Sequence, residues 1–126
     1  MGDISFINDP EKWLRAGLGE MRAEVEAQRH KVVAVILDLR GTYAVTSRQS
    51  GEQASRRCRH LLERLSVCNS ALSRFDTVNL AVDVLLGEPR LRPELYENRI
   101  HELAGYLHAA KTELEAAQNV LDATKP

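Results

Sequence analysis

Apolar side chains recur at alternating steps of four and three residues through three long segments of this chain, and the recurrence breaks only where helix-stopping residues occur. Leu14, Leu18, Met21, Val25, Gln28, Val32, Val35 and Leu39 carry it in the first segment, with one polar member. Ala54, Cys58, Leu61, Leu65, Cys68, Leu72 and Phe75 carry it in the second, and Tyr96, Ile100, Leu103, Leu107, Ala110, Leu114, Ala117 and Leu121 in the third. This spacing puts the apolar groups along one side of an α-helix, and such a stripe escapes water only by packing against other helices. A half-buried strand needs strict alternation instead, and no stretch shows it. The expected fold is all-α, an elongated up-down-up three-helix bundle with coiled-coil-like packing.

The segment boundaries follow from capping chemistry. Met1 to Asn8 has no period and is expected to form a flexible N-terminal arm, with Ile4, Phe6 and Ile7 as groups that could dock. Asp9-Pro10-Glu11 then supplies an N-cap side chain, a proline in the first turn and a carboxylate on the positive end of the helix dipole. Gly41 is a candidate C-cap, although Thr42 to Thr46 could add a further turn. Ser50-Gly51-Glu52-Gln53 has the spacing of a capping box, as does Thr46 to Gln49, and Gly87 with Pro89 closes the second helix before Pro93-Glu94 starts the third. The expected organisation is a single bundle over 9–126, with helices at about 10–43, 51–86 and 93–123 and short connections that make neighbours antiparallel. Spacing alone leaves open whether the third helix closes on its own chain or on another subunit.

Composition narrows the function. Lysine and arginine total 17 against 18 acidic groups, so the net charge of −1 gives no overall field for nucleic acid or an anionic membrane. The longest apolar run, Val32 to Leu37, is far short of the roughly 20 residues a membrane span needs, and no signal-peptide pattern opens the chain. Cys58 and Cys68 lie on one expected helix about 15 Å apart and cannot bridge each other. Both fall on the apolar stripe, so they read as buried thiols of a protein in the reducing cytoplasm.

The apolar residues outnumber what one seam per helix can bury. Val33 and Leu37 stand at or beyond the edge of the first stripe and, with Ile36, face the start of the second helix, which is thin in large apolar groups; Leu80 and Val84 lie roughly 200° around the helix from Val78 and Val82. These five are the expected partner interface, for self-association or for another protein, unless the N-terminal arm folds over Leu80 and Val84. An anionic partner has a candidate patch in Arg48, Arg56, Arg57, Arg59 and Arg64, with His60 among them, but no aromatic residue interleaves for base stacking and nucleic acid is disfavoured. Gln28 reads as a glutamine at an opening of the bundle, and Trp13 as a plug at its end. His101 and His108 are seven residues apart, about 10 Å, too far to share one ion, so no metal site is expected. Gly17 and Gly19 have no preceding strand and make no phosphate loop, and no serine sits in a glycine-rich nucleophile turn. No cofactor or small-molecule substrate is inferred.

The Trp13-Leu14 pair is similar to the opening of a spectrin-type repeat, but the rest of the chain does not follow that pattern. The sequence therefore points to a non-enzymatic helical interaction module, an adaptor or a subunit of a larger assembly. The alternatives are a nucleic-acid-associated factor using the basic start of the second helix, and a small regulatory or inhibitory protein that docks onto an enzyme.

Overall fold

A computed structural model describes residues 9–124 of the chain, with side chains to Asn119; the N-terminal arm 1–8 and the side chain of Leu121 in the third stripe fall outside what is described. Three helices, α1 (Pro10–Thr46), α2 (Glu52–Leu86) and α3 (Pro93–Thr124), pack on one another as an up-down-up bundle. At 1.5 Å per residue, α1 alone is about 55 Å long.

Local chemistry explains most of the ends. The Asp9 carboxylate accepts a bond from the Lys12 N–H at 3.3 Å, with Pro10 in the first turn. Helix α1 passes straight through Gly41 and stops at Thr46, where the Ser47 N–H closes the last turn onto the Tyr43 carbonyl at 2.8 Å. Gly41 is therefore an interior helix residue and not a cap. The capping box at Ser50 does not form. Gly51 is itself the N-cap residue of α2, makes no side-chain cap bond and has φ +113°, a conformation L side chains rarely adopt. The reversal after α1 needs that left-handed residue, which moves the cap one position past Ser50. At the other end of α2, Gly87 keeps an ordinary φ of −78°, so the stop comes from Pro89 and from the contacts described below.

The core is built by the expected stripes. Leu18, Val25, Val32 and Leu39 of α1 are fully buried, as are Cys68, Phe75, Val78 and Val82 of α2. Helix α3 adds Leu103, Leu107, Ala110, Leu114 and Ala117, the alanines giving a seam that other helices can approach closely. Cross-helix ion pairs report the register. Arg22 pairs with Asp83, and seven residues further along α1, Arg29 pairs at 2.7 Å with Asp76, seven residues back in α2. Glu24 to Lys111 (2.6 Å) ties α1 to α3, and Arg74 to Glu113 (3.2 Å) ties α2 to α3. The third helix thus closes on its own chain. Each of these pairs is partly exposed and contributes at most about 1 kcal/mol, so they select alignment more than they supply stability.

Candidate functional site: the outer faces of the bundle

Two places in the molecule carry more than core packing. The first is the end where α1 begins and the α2–α3 connection crosses. Arg15 donates to the Leu86 carbonyl (3.1 Å) and the Glu88 carbonyl (2.7 Å), and also to the Glu11 carboxylate (3.2 Å). The Leu91 N–H donates to that same carboxylate at 3.0 Å, and Arg90 stands 3.9 Å from its other oxygen. The last carbonyls of a helix lack partners within it, and here a side chain from another helix satisfies them. The Leu91 N–H, and after it Arg15, hold the Glu11 carboxyl below its ordinary pKa. Leu91 is completely buried beneath this clamp and seals the core. Trp13 does not plug the end. It is 58% exposed and lines, with Pro10, Leu14, Pro93 and Glu97, an open hollow of about 450 Å³ between the starts of α1 and α3.

The second place is the outward surface of α1 and α2. Leu37, Leu80 and Val84 are 61%, 67% and 59% exposed, and Val33 is also exposed. Ile36 does not belong with them, because it is buried. It sits seven residues after Arg29 and fourteen after Arg22, and both arginines reach across to α2, so this track of α1 faces its neighbour. The structure also does not gather the remaining four into one patch. Because α1 and α2 are antiparallel and cross-linked at Arg29–Asp76, Val33 and Leu37 lie to one side of that bridge and Leu80 and Val84 to the other, some 12 to 24 Å apart along the axis.

The arginines are likewise dispersed. Arg48, Arg56, Arg57 and Arg59 are exposed, with Arg48 in the connection before α2 and Arg56 held by Glu52 at 3.6 Å. Arg64 departs from the expected patch, being half-buried with its Nε enclosed and without a protein partner. Its heptad track continues as Ala71, Val78 and Leu85, all buried, which explains why it turns inward. Glu63 stands 3.8 Å from His60, three residues before it on the same helix. His101 and His108 are exposed on α3. Among the described residues no group of three or more His, Cys, Asp or Glu is placed to hold a metal, and no helix is long and apolar enough to cross a membrane.

Both cysteines are free. Burial raises the Cys68 thiol, partly offset by the Arg64 charge, whereas Cys58 is only half-buried. Gln28 is half-buried and lines, with Val35 and Leu114, an opening of about 330 Å³ between α1 and α3. Leu62, 49% exposed on α2, and Leu95, 65% exposed on α3, belong to the outer surface without standing out in the sequence. The Arg74 guanidinium lies 5.3 Å above the Tyr106 ring, an arrangement that side chains on two helices create and periodicity does not reveal.

Comparison with protein-family models, with curated proteins and with solved structures finds no match for this chain.

Proposed function

We propose that this chain is a non-enzymatic helical protein–protein interaction module, which uses exposed apolar residues on the outer faces of α1 and α2 to join a protein partner. One observation carries the reading. Leu37, Leu80 and Val84 are about 60% exposed or more on helices whose opposite sides are already committed to a closed core. Each such side chain contributes around 1.5 to 3 kcal/mol when an interface covers it completely, so a pair on either helix can anchor an association. An electrostatic nucleic-acid reading has less support, since Arg56 is paired, Arg64 turns inward and the others do not share one face.

The test is chemical crosslinking in intact cells, followed by denaturing electrophoresis. The module reading expects adducts above the single-chain mass that survive high salt during lysis and disappear for Leu37→Glu or Leu80→Glu. A chain that stays at its single-chain mass under these conditions overturns it. Adducts lost instead with Arg57→Glu and Arg59→Glu, and weakened steeply by salt, transfer the function to the basic turns.

A further inference from the structure

Helices α1 and α3 do not start level. The Glu24–Lys111 bridge aligns them so that Glu97 stands beside Pro10, and Pro93 about 6 Å beyond it. The hollow at this end is therefore walled by Pro10, Trp13 and Leu14 on one side and by Pro93 and Glu97 on the other, and it lies where the described residues begin, at Asp9. Counted from the Asp9 cap, Trp13 is the fourth helical residue. When a helix start is stapled, that position receives an apolar side chain from before the cap, which fixes the angle at which the chain enters. The residue directly before the cap is Asn8, so the apolar group must come from further back, where Ile4, Phe6 and Ile7 stand in the sequence.

We infer that the segment 1–8 occupies this hollow, with Phe6 and Ile7 laid against Trp13, Leu14 and Pro93. Reach selects this site over the other apolar surfaces. At no more than about 3.6 Å per residue, Ile7 lies within about 7 Å of Asp9 and Phe6 within about 11 Å. Trp13 is one turn from Asp9, about 6 Å along the axis. Leu80 and Val84 are out of range. The Arg22–Asp83 and Arg29–Asp76 bridges set Val84 about 18 Å and Leu80 about 24 Å along α1 from Asp9, and both lie exposed on the outward side of α2. Composition agrees with the site. Ile4 to Asn8 carries no charge, so docking encloses no unpaired ion, and Glu97, exposed at the rim, keeps its water. An aromatic pair between Phe6 and Trp13 adds to the area covered, since Trp13 is 58% exposed. Occupancy withdraws Trp13 from the surface open to partners and leaves Leu80 and Val84 on it. The inference is independent of the interaction-module reading, which uses neither Trp13 nor this segment.

The chain contains one tryptophan, so its fluorescence reports the hollow directly. The purified full chain is compared with a Phe6→Ser, Ile7→Ser double variant for emission maximum and for quenching by acrylamide. In a Cys58→Ser background, with Cys68 fully buried, thiol labelling at Glu97→Cys and at Leu80→Cys is timed with and without the same double substitution. The expected result is a shift of Trp13 emission to longer wavelength, stronger quenching, and labelling at position 97 faster by about threefold or more. The rate at position 80 and the helical circular dichroism stay unchanged. Unaltered Trp13 emission and quenching, or an unaltered rate at position 97, overturns the docking. Faster labelling at position 80 alone moves the segment to the outer face of α2 and overturns it equally.

Discussion

Replacing Arg15 by alanine tests whether the end clamp is structural in the sense the geometry implies. The guanidinium makes two bonds to carbonyls that the end of α2 cannot satisfy internally, at 3.1 and 2.7 Å, and one to Glu11. Hydrogen bonds to a charged group contribute about 1.5 to 3 kcal/mol each, and with the Arg15 side chain 31% exposed the two carbonyl bonds together come to roughly 2 to 3 kcal/mol. For a chain of this size that corresponds to a fall in Tm of about 8 to 12 °C. Urea unfolding at neutral pH, followed by circular dichroism, reads the difference as a lower midpoint at constant slope. Arg15→Lys keeps the charge but loses the two-pronged geometry and should fall between the two. The Glu11 pKa is lowered in the folded chain, so its contribution is complete above about pH 4.5 and is lost as the pH falls through the folded value. The variant should therefore also show a shallower loss of stability below that pH, because part of what lowers the Glu11 pKa has been removed. A loss under about 0.5 kcal/mol with an unchanged acid limb would refute the clamp as a determinant of stability.

Gly19→Ala and Gly41→Ala should each stabilise the chain by about 0.5 to 1 kcal/mol, since both positions are helix interior and an added Cβ meets nothing within 4 Å; a lower Tm for either would show that the space is occupied in the protein as it exists. Native labelling with a thiol reagent should modify Cys58 at least about a hundredfold faster than the fully buried Cys68, whose thiol burial disfavours ionisation. Equal rates would mean that the α2 core opens far more readily than its packing implies. Lys111→Met should flatten the loss of stability on acidification. Lys111 is the first cause of the lowered Glu24 pKa, and that contribution is complete above the ordinary carboxylate value and is lost as the pH falls through the lower folded one. An acid limb identical to wild type would remove the Glu24–Lys111 pair as a solution interaction.

Periodicity carried the architecture because it depends on the side chains of one helix at a time. Leu18, Val25, Val32 and Leu39 are spaced for burial whatever they meet, and the structure buries all four. What periodicity could not supply was any feature that two helices make together. Ile36 looks surplus when α1 is considered alone, and becomes core only because Arg22 and Arg29 on its track reach α2. Arg64 looks like a surface charge until Ala71, Val78 and Leu85 show which way its track faces. The Glu11–Arg15 spacing was visible as an ordinary four-residue pair, while its targets, the ends of a helix seventy residues away, had no local signature. Gly51 displaced the expected Ser50 cap because the reversal required a positive φ, a demand set by the path of the chain.

Exposed leucines taken singly carry little meaning, because much of any protein surface is apolar. Leu80 and Val84 differ through their position. They close an outward stripe of Ser66, Ser70, Ser73 and Thr77 that carries no charge, on a helix face where a solitary bundle would ordinarily place lysine and glutamate for solubility. Helix α1 is instructive by contrast: the outward side around Leu37 carries Lys31 and Arg40, both exposed, so an apolar group there has solvated charge beside it. The two patches are thus unequal, although Leu37 and Leu80 are exposed to a similar degree. A substitution that restores charge to α2, such as Ser70→Arg, asks more of the interaction reading than one at Leu37, because it leaves every apolar side chain in place. If association fails with Ser70→Arg while Leu37→Glu is tolerated, the determinant is the close approach of uncharged backbone along α2 and not apolar area in general.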